Sequence, residues 1–340
     1  MNKRTIVPIA IAAAAALALG VTGCSSSDKG NGDAGGDVKT TVLRVAFNQD
    51  ANHPQAQAIM ALSEKLEEQT GGKYALELFP DGTLGAQEAT IEQVQSGTID
   101  LALVAGPLLE SFSSDFSVVN LPYIYESPEH QVEALNDAEV TGELYDTLKE
   151  DNLQVLAAFH AGVRNVYASE PVTTPADLAG KKIRVIGSPT NVRLMELMGG
   201  VGTPMAQDEV YTAIQSGVLD GAENAELIYG SMSHYEVSPV YSYTKHLMMP
   251  DFLVANPGIW ESMDADSRKV FEELLPAALD EELVSFDAAV AEAKKRAEDG
   301  GATFVDADFD AFRDAVLPLH KEMVKTPLAQ SVYDAIAAAK

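Results

Sequence analysis

An internal echo constrains this chain more than any other feature. Gly82-Thr83, Ala86-Gln87-Glu88, Gln95-Ser96-Gly97 and Ile99-Asp100 recur without a gap as Gly202-Thr203, Ala206-Gln207-Asp208, Gln215-Ser216-Gly217 and Leu219-Asp220. The offset is a constant 120 residues, 217 against 97 and 202 against 82. Each copy reads as a helix closed by a glycine in left-handed conformation, followed by a strand carrying an acid. Two common helix–glycine–strand units can agree by accident. Identity at both ends of the unit favours two similar α/β lobes.

The flanking pattern fits that reading. Residues 41–47 (TVLRVAF) alternate and predict a first strand, and residues 54–69 place Ile59, Leu62 and Leu66 on one helical face before Gly71-Gly72 stops it. Residues 74–79 predict a second strand, 86–96 a helix and 99–104 a buried strand, giving βαβαβ with a parallel, helix-covered sheet. Further strands are predicted at 153–159, 163–168 and 183–186, and Ser188-Pro189 opens a helix with an N-cap serine and proline at its first position. Residues 241–254 read as extended crossing chain, 264–298 as one long helix bent at Pro276, and a final amphipathic helix starts at Asp308 after a short strand at 303–305. Chain crossings between lobes are expected near Ala161, Met249 and Val290. Lobe I is thus residues 41–161 plus 250–289, and lobe II is 162–249 plus 290–340.

The first 40 residues stand apart from this fold. Lys3 and Arg4 precede an apolar run from Ile6 to Val21, too short for a membrane span, which ends at Val21-Thr22-Gly23-Cys24. This resembles a signal peptide over 1–23 with a lipobox, in which Cys24, the only cysteine, is lipidated. Residues 24–40 have no apolar group larger than alanine until Val38 and read as a flexible tether between lipid and folded body. An extracytoplasmic, membrane-anchored protein is the expectation. The formal charge of −28 opposes nucleic acid and anionic lipid headgroups as partners.

Catalytic signatures are absent: no HExxH, no GxxxxGK[ST], no GxSxG, and no metal-ligand spacing among the histidines at 53, 130, 160, 234, 246 and 320. Neither enzyme activity, a cofactor nor a metal is expected. Arginine is more telling because Arg164 and Arg184 sit inside strand runs, GVRNVYAS and KKIRVIG. A buried guanidinium needs an anion, and its planar fork fits a carboxylate with two parallel hydrogen bonds. Two arginines facing one cleft make an anion clamp. Alternatively, each pairs with an internal acid or lies at an exposed strand end.

Residues 181–237, from KKIRVIGSPT through EVYTAIQSGVLDGAEN to HYEV, resemble the solute receptors of TRAP transporters, the tripartite ATP-independent periplasmic family of DctP type. NHP at 52–54, residues 78–102 and LPYIYES at 121–127 resemble the same family, so the likeness covers the whole mature chain in order. The resemblance implies a periplasmic-binding-protein-like clamshell with hinge strands and a long connecting helix. It also implies that Arg184 salt-bridges a ligand carboxylate, with Arg164 as second cationic contact and Asn224 bonding across the cleft. Asn48 and His53 match first-lobe contacts more loosely, and His53 can equally be a helix-start residue. By the echo, Glu88 and Gln207 lie at cleft-facing helix starts, where each binds hydroxyls or merely caps its helix. Glu226, after the AEN motif, either points away or meets sugar hydroxyls.

For the ligand, the NHP start and the AEN-to-HYEV spacing resemble the sugar-acid receptors, so a hexuronate such as glucuronate or galacturonate is expected first and a C4-dicarboxylate second. The expected protein partners are TRAP membrane subunits, which use an ion gradient. A receptor for an ATP-driven importer has the same clamshell shape and stays as an alternative at this point.

Overall fold

The computed structural model describes residues 39–339. The expected signal peptide, Cys24 and nearly all of the tether lie outside the described residues. The first unit runs β1 (Thr41–Ala46), α1 (Pro54–Gln69), β2 (Tyr74–Phe79), α2 (Gln87–Gln95) and β3 (Leu101–Ala105). Helices α3 (Pro128–Asn136) and α4 (Ala138–Asp146) lead to the long strand β4 (Gln154–Ala168). The second unit runs β5 (Lys182–Val185), α5 (Pro189–Leu197), β6 (Val201–Pro204), α6 (Val210–Gln215) and β7 (Gly221–Ala225). Next come α7 (Glu226–Ser231), the long strand β8 (Val240–Ala255), α8 (Pro257–Ser262) and α9 (Ala265–Asp299). Strand β9 (Thr303–Asp306) and helices α10 (Phe309–Val316), α11 (Pro318–Met323) and α12 (Pro327–Ala338) complete the order.

One mixed sheet threads the molecule in the order β2-β1-β3-β8-β4-β7-β5-β6, with β9 paired to β8. Its two wings repeat. In each, the first strand of the unit lies parallel between the other two, β2-β1-β3 on one side and β6-β5-β7 on the other. The register repeats as well: Val45 and Ala46 face Leu101 and Ala102, while Ile183 and Arg184 face Gly221 and Ala222. Between the wings, β4 and β8 run antiparallel and pair over most of their length.

The echoed residues perform matching local tasks. Gly97 and Gly217 close α2 and α6 at φ +70° and +74°, a region that a side chain enters only with strain. The Asp100 carboxylate accepts from the Arg44 backbone N–H at 2.7 Å, and Asp220 accepts from the Lys182 N–H at 2.8 Å. Each acid therefore satisfies an edge donor of its own unit's first strand. These acids are structural.

The residues expected as two strands, 153–159 and 163–168, form the single strand β4 with a break in register between His160 and Val163. Gly162 sits in that bulge at φ +88°, and a Cβ there would lie 2.6 Å from the Ala225 Cβ. Helix α9 runs unbroken for 35 residues through Pro276, roughly 52 Å at 1.5 Å per residue. Phe271, Leu274 and Leu275 pack it on the first unit's core, while Phe286 and Ala293 pack it beside Leu227 of α7. The expected single C-terminal helix is three, because Pro318 and Pro327 each start a new one. The last of them anchors on elements of the first half. His130 Nε2 lies 3.0 Å from the Ile336 carbonyl, and Thr326 donates to Asp115 at 2.7 Å just before α12 begins. Residues 290–340 therefore do not all sit with the second unit.

Candidate functional site

A cavity of about 210 Å³, some seven water volumes at roughly 30 Å³ each, opens at the carboxyl ends of the parallel strands of both units. All seven residues expected to bind ligand line it: Asn48, His53, Glu88, Arg164, Arg184, Gln207 and Asn224. The two echoed helix starts, Gln87-Glu88 and Gln207-Asp208, face it from opposite units. The β4 and β8 crossings contribute Ala161, Met249 and Asp251.

Arg184 is the free charge of this wall. It lies in β5, a strand buried after its first residue, and is itself 3% exposed. Its Nε donates to the Met205 carbonyl at 2.8 Å, which fixes the plane of the guanidinium. Its two terminal amino groups have no acceptor, and no carboxylate pairs with it, among the described residues. Burial, reinforced by the nearby Arg164 charge, pulls it down to about 10, so it remains a cation at neutral pH. A buried, unpaired cation is costly, and an anion in the cavity offsets that cost.

Arg164 behaves differently. Its Nε and one terminal nitrogen engage both oxygens of Glu223, at 2.5 and 2.8 Å, and that nitrogen also donates to the Glu223 carbonyl at 2.7 Å. The other terminal nitrogen donates to Asn224 Oδ1 at 2.9 Å and lies 3.8 Å from the Met249 sulfur. Of the two alternatives that its position in the strand left open, the internal ion pair is the one formed. Burial pushes the Glu223 carboxyl up, but Arg164 and the His246 ring together hold it at about 2. Only the N–H near Met249 is left to face a ligand. Arg164 also organises its neighbour: Asn224 Oδ1 accepts from Arg164 and from the Ala225 N–H at 2.9 Å, so its amide nitrogen is turned to the cavity as a donor.

The first unit supplies the opposite wall. His53 caps α1, its Nδ1 accepting from the Gln55 N–H at 3.3 Å, which leaves its proton on Nε2. Burial lowers it to about 4, and it is neutral at pH 7. It is therefore both a helix-start residue and a cavity residue. Asn48 Oδ1 is buried without a partner. Glu88 and Asp81 are exposed lining residues of this unit, and Asp208 is an exposed lining residue of the opposite one. Gln207 neither caps its helix nor stays free: it exchanges two hydrogen bonds with Gln49 at 3.0 and 3.3 Å, joining the units across the cleft. Glu226 is absent from the lining. It accepts from the Tyr243 hydroxyl at 2.5 Å with Lys294 at 3.7 Å, and so points away from the site.

Sequence reasoning missed Asp81 and Asp208 on the lining, and three further residues are instructive. Gln49 is an ordinary polar loop residue, and nothing local marks its partner 158 positions away. Glu223 stands in the same DGAEN run as Asn224, where an acid on a buried strand signals a buried cation. Asp251 interrupts the apolar run MMPDFLVA, a signal that was legible.

An unpaired cation with amide donors on one α/β unit, faced by a second unit rich in oxygen acceptors and joined to it by two long strands, defines a receptor for a small polar anion. The chain belongs to the family described as bacterial extracellular solute-binding protein, family 7, whose model matches residues 45–326. It is 31% identical over 280 residues to the 2,3-diketo-L-gulonate-binding periplasmic protein of Escherichia coli, covering 81% of this chain and 84% of that one. A TRAP periplasmic solute-binding protein from Anaerococcus prevotii with bound α/β-D-glucuronate is similar at TM-score 0.84 and 37% identity, over 88% of this chain and 98% of that one. Another from Xanthobacter autotrophicus, with bound β-D-galacturonate, is similar at TM-score 0.83 and 30% identity, over 88% and 100%. The chain is accordingly an extracytoplasmic solute receptor of TRAP type with a two-lobed fold, and not an enzyme. The ATP-driven importer alternative gives way to that membership. No helix among the described residues is long and apolar enough to cross a membrane.

Proposed function

We propose that this chain binds a hexuronate, glucuronate or galacturonate, and presents it to TRAP membrane subunits. One observation carries the reading: Arg184 is a buried cation without an acid partner, on a cavity whose other charged lining residues are Arg164, already paired with Glu223, and the acids Asp81, Glu88, Asp208 and Asp251. The ligand carboxylate meets Arg184, with Asn224 and the remaining Arg164 N–H as further donors. Its hydroxyls donate toward Asn48, Glu88 and the acids of the first unit. A C4-dicarboxylate that put one end on Arg184 would turn its second anion toward carboxylates, and that ranks it below a sugar acid. The solved structures of glucuronate- and galacturonate-bound relatives support the same order.

Lobe I takes residues 41–161 with 250–289, and lobe II takes 162–249 with most of 290–340, except that α12 returns to lobe I. Ligand contacts on both walls favour the closed arrangement by their differential affinity. A lipid on Cys24 and a flexible tether over 24–40 hold the receptor at the membrane after the signal peptide at 1–23 is removed. The test is a thermal-shift screen of hexuronates, aldonates and dicarboxylates, since a ligand at 100 times its Kd adds about 2.7 kcal/mol. A hexuronate is expected to give the largest rise in Tm. A larger rise with succinate or malate than with either hexuronate would overturn the assignment.

A further inference from the structure

We propose that Asp251 is a specificity-determining residue that accepts a hydrogen bond from a hydroxyl of the bound acid and excludes a second carboxylate. This deepens the sugar-acid reading of the cavity and rests on it.

Asp251 lies in β8 between Pro250 and Phe252, where it pairs with Ala105 of β3 on one side and Phe159 of β4 on the other. The surrounding run is apolar and buried, and Asp251 itself is 6% exposed. Its Oδ1 is buried with no hydrogen-bond partner, and the residue lines the cavity. A carboxylate oxygen left unsatisfied costs the fold stability, and a valine or asparagine would fill the same strand position more cheaply. The other oxygen, Oδ2, is not sealed in and accepts no hydrogen bond among the described residues, so a ligand hydroxyl is the partner that this carboxylate lacks.

The groups around it keep it an acceptor. Gln55 of α1 gives one amide N–H to the His160 carbonyl at 3.0 Å, and its second N–H approaches the Asp251 carboxylate, working against the upward push of burial without closing a hydrogen bond to Oδ1. Arg164 of β4 is the nearby cation, and its charge is already matched by Glu223. Glu282 of α9 lies below with both carboxyl oxygens unpartnered. Burial pushes Glu282 up to about 9, so it is neutral at pH 7 and leaves Asp251, at about 6, as the charged member of the pair. An ionised acceptor rewards a hydroxyl with a charge-assisted bond and repels a carboxylate.

The experiment is calorimetry at pH 7.5 on wild type and Asp251→Asn with D-glucuronate, D-galacturonate, succinate and a set of singly deoxygenated hexuronates. The substitution is expected to weaken the preferred hexuronate at least tenfold and to shrink the hexuronate-to-succinate ratio by a further factor. One deoxygenated analogue should lose at least tenfold against wild type and little against Asp251→Asn. Analogue profiles identical in the two proteins, with an unchanged ratio, overturn the role of Asp251 while leaving the sugar-acid reading intact. Wild-type protein that binds no hexuronate overturns both. Should Asp251→Asn fail to fold, the analogue series on wild type decides alone: no single hydroxyl whose removal costs tenfold sinks the proposal.

Discussion

The two βαβαβ units have one topology and one register, yet they end in different chemistry. Ala46, the last residue of β1, and Arg184, the next-to-last of β5, hold equivalent places, each opposite the second residue of its unit's third strand. The helix starts differ in the same way. Gln87 Oε1 accepts from the Ala105 N–H at 2.9 Å and ties α2 to its own unit, whereas Gln207 reaches across to Gln49. The same strand arrangement occurs twice, and different residues at the strand ends divide the labour. One wing offers the unpaired cation, while the other carries Asn48, Asp81 and Glu88 as oxygen acceptors beside the His53 N–H. A molecule with an acid at one end and hydroxyls at the other matches that asymmetry.

The comparison can be broken from the first unit's side through Glu282, which sits beneath the acceptor wall. Its folded value of about 9 lies above the ordinary 4.5, because burial disfavours the charged form. The folded chain therefore keeps a proton that the unfolded chain releases, and stability falls as pH rises from about 4.5 to about 9. Glu282→Gln is expected to stabilise the ligand-free protein by on the order of 2 kcal/mol at pH 8, and negligibly near pH 4. Urea unfolding across that range measures it. A flat difference with pH would mean that the carboxyl is solvated or partnered.

A smaller effect sharpens the contrast between equivalent glutamines. Gln207→Ala removes the bridge between units and is expected to weaken ligand binding about fivefold, near 1 kcal/mol, with little change in ligand-free stability. Gln87→Ala, which cuts a tie within its own unit, should lower Tm and weaken binding less than Gln207→Ala does. Equal consequences for the two variants would show that position 207 has no cross-unit role.

Much of this was legible because it is local. Helix α1 and strand β2 fall where their periodicity and flanking glycines put them, and the 120-residue echo anticipated both the two similar α/β units and the left-handed Gly97 and Gly217. All the expected site residues reach one cavity. Cases that turn on a distant partner were not legible. Arg164 and Arg184 look alike in sequence, and only the placement of Glu223 on the adjoining strand neutralises one of them. Glu226 needed Tyr243 and Lys294 to draw it away from the cleft. The C-terminal helix breaks are a different matter, since Pro318 and Pro327 were present in the sequence and outweigh the amphipathic pattern.

The central claim is that the unpaired guanidinium of Arg184 captures the ligand's acid group. Calorimetry of Arg184→Ala with D-glucuronate or D-galacturonate, whichever wild type binds, tests it most directly. A loss of at least tenfold, about 1.4 kcal/mol, is predicted for a variant that keeps its cooperative melt. Wild-type affinity in that folded variant would contradict the account.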